Sequence, residues 1–336
     1  MDKDYLFNMC VESMTDYLSE ICQTQKEFDE QFDKYFTEDF LTKMYKLLIN
    51  SVPGKVFSFW LDECSKYYKE DQEENFNFQE YLENIWGHGF ELSNLLYSVI
   101  LDELDSYSRR LETEHKDDLP GNKYKCKVLQ LLANRNLQTY ASILCLMQNG
   151  FGDQAFMLFR NMFENSIFSK FIFESNEQTA KAFYEAQNKD IKSKDDFSWV
   201  RYSNKFDKNE RISFKKIFEK CKFEKNYADI WYGQYKLACK LLHTTPQGTS
   251  KTLCSNPTAD EMFSLVGQSP FGLNLAGEHS AIILEESTRN YLCLFYDEKS
   301  LVFTVAIHKW IGEIRNVYYE ITKKFEEDTD NLKQSK

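Results

Sequence analysis

Only 12 glycines and 5 prolines punctuate the 336 residues, too few turn-formers for a chain of many short strands. An all-α, multi-helix bundle is therefore expected. Nine cysteines, an odd number, run from Cys10 to Cys293 without a Cys-x-x-Cys pair. That spacing argues against a disulfide framework and a structural zinc site, and it fits a reducing cytosol. No His-Glu-x-x-His occurs, and neither a metal nor another cofactor is expected. The pair Gly150-Phe-Gly152 lacks the third glycine and the preceding strand of a phosphate-binding loop. No serine sits in a glycine elbow. Apolar runs are broken by Asn, Gln, Arg or Lys before the roughly 20 residues a bilayer requires. The opening Met-Asp-Lys-Asp-Tyr is acidic where a signal peptide is basic. A cytoplasmic protein without a membrane partner is expected.

What is present is a large apolar content, 42%, with 28 Phe and 20 Tyr, sufficient for a substantial core. The net charge of -12 is uneven. Residues 1–119 carry 27 acidic against 11 basic side chains, leaving the remainder at +4. Residues 187–225 hold 12 basic and 7 acidic residues, a mildly basic segment that could meet an acidic partner or the acidic N-terminal half. The charge run Glu112–Asn122, with Pro120-Gly121, marks the best internal boundary. It divides an acidic helical N-terminal region (1–119) from a helical core domain (120–328) and a polar, frayed tail (329–336).

Periodicity predicts helices over Asp4–Cys22, from Thr37-Glu38-Asp39 to Ile49, and from Val56 to Tyr68, with a break at Pro53-Gly54 and a charged loop over Lys69–Asn75. A long helix follows from Phe78 to about Leu111, with Gly87 and Gly89 as candidate interruptions. Lys123–Asn149 and Asp153–Ser175 form a tight helical hairpin around Gly150-Phe-Gly152-Asp153, read as a stop followed by a new N-cap. Shorter helices are expected at Gln178–Asn188 and Phe214–Lys222. Then come Tyr227–His243, an irregular stretch over Thr244–Gly277, and two closing helices, Glu278–Tyr296 and Leu301–Phe325.

The second arm of the hairpin carries the candidate site. Phe156, Phe159, Phe163, Ile167 and Phe171 share one side, and Leu158, Met162 and Phe173 cover another. A helix apolar nearly all round is buried, yet it contains Arg160 and Glu164 one turn apart. Charges there must pair with each other or with neighbouring polar groups; Arg135, Gln138 and Ser142 on the first arm are the nearest candidates in sequence. On the helix ending at His243, Asp229, Tyr232, Lys236 and Cys239 share the histidine's face, with Tyr235 beside it. Convergence of the two helices would give an anion-binding, acid–base pocket, with Arg160, Glu164 and His243 as its chemically active members and Tyr232, Tyr235 and Lys236 as ligand contacts. The plainer alternative is an intrahelical ion pair and a histidine capping its own helix. Arg110-Leu-Glu-Thr-Glu-His115 matches the Arg-x4-6-His spacing of HEPN ribonucleases, but its charge-rich setting reads as a solvated helix end. The other histidines, His88, His279 and His308, read as structural or exposed.

The order Gln148-Asn-Gly-Phe-Gly152, Gln154 to Arg160-Asn-Met-Phe-Glu164, and Lys240-Leu-Leu-His243-Thr-Thr-Pro246 resembles a mainly bacterial, all-helical family catalogued as a domain of unknown function. In that family an Arg-x-x-x-Glu helix precedes a Tyr-rich helix ending in His. The resemblance covers about Tyr124–Gly248 and implies a helical bundle with a shared site at Arg160, Glu164 and His243; it supplies no reaction.

The expected function is binding of a small anionic ligand or a macromolecular partner at the Arg/Glu/Tyr/His pocket. Uncharacterised helical proteins of this kind are considered in microbial stress or phage defence, and that setting is carried as an expectation. One alternative is a metal-independent HEPN-like ribonuclease, with His243 as acid–base and Arg160 stabilising phosphorane charge. The overall acidity disfavours RNA. A second alternative is a structural interaction scaffold; an oligomer is compatible with each.

Overall fold

The computed structural model describes residues 38–186, 197–207, 209–223, 225–243, 267–295 and 297–334, with the short pieces 8–9, 12–17, 24 and 26–27. These residues form helices and no strand, so the chain is an all-α multi-helix bundle. Two compact units divide at Phe78 and Gln79, about one long helix-half before the charge run at Glu112–Asn122. That run closes a helix, turns, and enters a 3-10 helix at Leu119–Asn122 within the larger unit.

Helix α1 spans Glu38–Thr113. The breaks expected at Pro53-Gly54 and over Lys69–Asn75 do not occur. Pro53 removes one backbone donor, a loss of about 3 kcal/mol, and the helix-forming turns on either side absorb it. Five of the seven residues from Lys69 to Asn75 are Lys, Glu or Gln, good helix formers without a breaker. Most of the helix expected at Asp4–Cys22 lies outside the described residues.

In the larger unit, helix α2 (Lys123–Gln148) and helix α3 (Gly152–Phe173) form the predicted hairpin. Gly150 adopts φ 75°. Its N–H donates to the Met147 carbonyl at 2.9 Å, and the Phe151 N–H donates to Leu146 at 2.8 Å, the paired bonds of a Schellman turn. The new helix begins at Gly152, and Asp153 lies in its first turn instead of capping it. Gly152 is required by proximity, since a Cβ there would stand 3.1 Å from backbone atoms of Phe271 and Gly272.

Helix α4 (Glu177–Ala186) packs on α2 and on the 3-10 turn Ser198–Ser203. Helix α5 (Phe214–Lys220) and helix α6 (Lys225–Leu242) both pack against α3. Helix α7 (Leu273–Leu292) is the central element: 15 of its 20 residues are buried, against α2, α3 and helix α8 (Glu298–Gln334). It starts five residues before the expected Glu278, after Gly272 at φ 75°. The expected frayed tail is helical through Gln334.

The core is aromatic. Tyr318 of α8 is fully buried with Trp86, and Tyr107 meets Tyr291 edge-on at 5.0 Å. The indoles find acceptors, Trp86 on the Pro270 carbonyl (3.0 Å) and Trp310 on Leu92 (3.1 Å), as buried donors must.

Candidate functional site

Helix α3 uses two of its sides for burial. Phe156, Phe159, Phe163, Ile167 and Phe171 are all within 1% of full burial, and α6 lies on the flank that carries Arg160 and Glu164. There the helix needs polar partners, and α6 supplies them. The Arg160 Nη2 stands 2.7 Å from Glu164 Oε1, with side-chain exposures of 29% and 24%. Arg160 Nε donates to Cys239 Sγ at 3.3 Å. Tyr235 donates its hydroxyl to Glu164 Oε1 at 2.8 Å, and the guanidinium carbon lies 5.9 Å from the Tyr235 ring centre.

Tyr235 is wedged among Phe163 (5.1 Å), Phe214 (4.9 Å) and Tyr232 (5.6 Å). Burial first, then the bond to Glu164, raises its phenol far above the ordinary range, so it is a donor and not a base. Partial burial opposes the charge of Arg160, but Cys239 and Glu164 more than offset it and the guanidinium is raised. Tyr232 stacks on Phe218 at 5.0 Å and carries Lys236 Nζ 5.0 Å above its ring. Burial raises its phenol as well.

The structure therefore brings together Arg160, Glu164 and Tyr235, with Tyr232 and Lys236 extending the cluster along α6. His243 is exposed at the helix end, where its backbone N–H donates to the Cys239 carbonyl at 3.2 Å. Among the described residues its ring makes no hydrogen bond to Arg160 or Glu164. Arg135, Gln138 and Ser142 are not partners of Arg160: with Thr139, Leu158 and Asn161 they line a separate groove of about 250 Å³ between α2 and α3. Arg160 and Leu158 point to different neighbours because two residues of helix turn the side chain by about 200°.

One expectation about charge needs correction. Arg110 is not on a solvated helix end but 8% exposed. It donates from Nε to Asp297 (2.9 Å), from Nη1 to Ser106 (2.8 Å), and from Nη2 to Glu103 (2.6 Å) and Ser300 (2.8 Å). His115 stacks on Phe295 at 5.4 Å. The basic segment is also partly neutralised within the unit: Lys205 reaches Glu174 at 3.0 Å, Lys216 reaches Glu210 at 3.0 Å, and Lys215 lies 3.5 Å from Glu219.

A further charged cluster escaped the sequence reading. Glu285 and Glu286 of α7 are buried, Glu286 beside Arg289 and 3.3 Å from Lys170, Glu285 3.0 Å from His308. Burial raises the Glu285 carboxyl, against the opposing pull of His308 and Arg289. The Lys170 contact lacks hydrogen-bond geometry at Glu286 Oε1, so it is an ion contact only. The signal that singled out Arg160 and Glu164, opposite charges one turn apart in an apolar helix, also flags Glu285 and Arg289. Neither cluster places three or more of His, Cys, Asp and Glu as a metal-binding group, and none occurs among the described residues. No helix among them is long and apolar enough to cross a membrane.

Residues 127–261 match the model of a family of unknown function, DUF5677. The matched segment includes α3, α5 and α6 and hence each of Arg160, Glu164, Tyr232, Tyr235, Lys236, Cys239 and His243. It leaves out α7, which packs on α2 and α3, and α8, which packs on α7. No curated protein and no solved structure matches the chain.

Proposed function

We propose that the flank of α3 and α6 is a receptor for a small anion, with Arg160 as its principal contact and Lys236, Tyr232 and His243 along its edge. One observation carries this reading. Arg160 is braced on three sides, by Glu164, Cys239 and the Tyr235 ring, yet its Nη1 has no partner among the described residues and the side chain is 29% exposed. A guanidinium has five N–H donors in a rigid fork. A fork already oriented, with one prong open, binds a phosphate or carboxylate without first losing its rotamer freedom.

Glu164 does not cancel this role. Its Oε1 is engaged by Tyr235 as well as by Arg160, so the carboxylate positions the guanidinium as much as it neutralises it. On the exposed side, Lys236 adds a second cation and His243 lies one turn beyond Cys239. The ribonuclease reading asks more, an imidazole within hydrogen-bond reach of the reacting groups. No such contact links His243 to Arg160 or Glu164 among the described residues, and the binding reading is therefore preferred.

The test is thermal denaturation with inorganic phosphate, mononucleotides and small dicarboxylates, run on the wild type and on Arg160→Ala. A ligand at 100 times its Kd stabilises by about 2.7 kcal/mol. At least one anion is expected to raise the wild-type midpoint and to leave the variant unmoved. Equal shifts in both proteins, or none in either, would remove Arg160 as a receptor. An RNA cleavage assay comparing wild type with His243→Ala separates the nuclease alternative: cleavage lost in the variant alone would restore it.

A further inference from the structure

We infer a second, independent ligand site, in the groove where α1, α2 and α7 meet, that takes a small amphipathic anion with a flat apolar body and a single acidic head. The groove encloses about 460 Å³, within the range of small-molecule sites. Its walls are Ser108, Leu111 and Glu112 at the end of α1, Leu119 and Pro120 of the 3-10 link, and Lys123, Cys126, Lys127 and Gln130 of α2, with Tyr291 of α7 and Lys116 completing it. It lies in the larger unit alone and shares no residue with the Arg160 cluster.

Its construction is two-tiered. The base is apolar and well packed: Leu111, Cys126 and Tyr291 are buried, and Pro120 and Leu119 form one side. A short hydrogen-bond chain fixes the polar atoms in that base. Gln130 Nε2 donates to Ser108 Oγ at 2.9 Å, Ser108 donates to the Leu104 carbonyl at 2.7 Å, and the Tyr291 hydroxyl stands 3.1 Å from Ser108 Oγ. These groups satisfy one another, so the floor offers a firm surface without an unpaired charge.

The rim is cationic. Lys116, Lys123 and Lys127 are exposed, and among the described residues none of them has an ion pair; Lys127 Nζ lies 5.6 Å from the Tyr184 ring centre. Glu112 is the one carboxylate that lines the groove. Three lysines against one glutamate around an apolar base complement a ligand that is apolar at one end and anionic at the other. A hydrophilic dianion would leave the base unfilled, and a neutral apolar ligand would leave the lysines unused. Cys126 does not make the groove a reaction centre. Burial pushes its thiol up to about 11, so the nucleophilic thiolate is scarce at neutral pH and the site binds without bonding covalently.

The experiment uses the full-length protein and 1-anilinonaphthalene-8-sulfonate, an aromatic body with one sulfonate, followed by its fluorescence. Saturable 1:1 binding is expected, weakened about tenfold or more by Lys116→Glu, Lys123→Glu and Lys127→Glu together, because each reversal replaces a near-contact attraction with repulsion. The neutral analogue N-phenyl-1-naphthylamine should bind wild type and the triple variant alike. Gln130→Trp, which fills the groove, should abolish binding of both probes; the surface charge reversals decide the matter where that variant does not fold. Arg160→Ala should leave both affinities unchanged, which keeps this site distinct from the anion receptor on α3. Unsaturable binding, an unchanged affinity in the triple variant, or a loss on Arg160→Ala would overturn the inference.

Discussion

Gly277→Ala in the middle of α7 is a sharp test of how the core is assembled. Helix propensity alone favours alanine over glycine by about 0.8–1.0 kcal/mol, so a mutation to the better helix former should stabilise the protein. The structure argues the reverse. A Cβ on residue 277 would fall 2.5 Å from Tyr318 Cζ and 2.8 Å from both Cε1 and the hydroxyl oxygen, far inside the 3.5–4.0 Å optimum for carbon contacts. Tyr318 cannot retreat: it is fully buried, its ring lies 3.2 Å from the Cβ position of Gly89 on the opposite helix, and its hydroxyl stands 3.3 Å from Ser93 Oγ. The ring is thus held between two glycines on facing helices, and Trp86 closes a third side at 5.8 Å. Overpacking of this kind costs about 1–3 kcal/mol, which outweighs the propensity gain. Urea denaturation followed by circular dichroism should show a lower midpoint with an unchanged slope, a net loss of up to about 2 kcal/mol on those two figures. A double-mutant cycle removes the ambiguity. In a Tyr318→Val background, which is destabilised in itself by a cavity, Gly277→Ala should become neutral or stabilising. A midpoint that rises for Gly277→Ala in the wild-type background would refute the argument, and equal losses in both backgrounds would assign the effect to the backbone instead of the ring.

Four other outcomes are expected. Arg110→Ala should destabilise by about 3–5 kcal/mol, because it leaves Asp297 and Glu103 buried or nearly so without their partner; a loss below about 1 kcal/mol in urea denaturation would contradict the hub role. Tyr235→Phe should lower stability by about 0.5–1.5 kcal/mol by removing the donor to Glu164, read by the same denaturation. His279 is buried against Phe156 and Phe159, and burial first, then Arg315, lowers its imidazole despite Glu278. The unfolded chain therefore binds the proton more tightly, so this residue's share of stability is intact above the ordinary histidine value of about 6.5 and declines as pH falls below it, by at most about 1.4 kcal/mol per pH unit until the folded value is passed. His279→Phe should flatten that part of the stability–pH curve, and an unchanged curve would sink the assignment. Gly152→Ala should destabilise at the hairpin, since three backbone atoms, which cannot swing aside, stand 3.1 Å from the new Cβ.

The sequence revealed those features that depend on local chemistry. The hairpin was legible because a glycine at C′ and a second helical period on either side leave few other conformations. Arg160 and Glu164 were legible because charges in a helix apolar on most sides must be accounted for. Pro53 and the run Lys69–Asn75 misled because proline and charge clustering are read as punctuation, whereas one missing donor and a set of helix-forming polar side chains are compatible with a continuous helix. Which of the two helices named as neighbours of Arg160 supplies its partners was not legible for a different reason. Arg135, Gln138 and Ser142 are near in sequence, but which flank of α3 meets α2 and which meets α6 is decided by tertiary packing that no single-helix pattern contains. The same holds for Tyr318, whose slot is made by Gly89 and Gly277, residues separated by most of the chain.

Arg110 and Arg160 show how a structural arginine and a receptor arginine can be told apart once the fold is known. Both are held by carboxylates, and both sit on helices with apolar neighbours. Spacing favoured Arg110 as the catalytic signature, yet its Nε, Nη1 and both Nη2 donations are already made to Asp297, Ser106, Glu103 and Ser300. One Nη1 hydrogen remains, but at 8% exposure it has no access to a ligand. Arg160 commits Nε to Cys239 and one edge of Nη2 to Glu164 and keeps Nη1 open at a partly exposed surface. A buried arginine with four of its five donors engaged holds helices together, whereas an oriented, partly exposed arginine with a free prong presents a charge. On that criterion the two variants should diverge: Arg110→Ala should lose the fold's stability first, and Arg160→Ala should lose anion binding while the folded state persists. Loss of folding in Arg160→Ala at a level matching Arg110→Ala would show that the donor count does not separate the two roles.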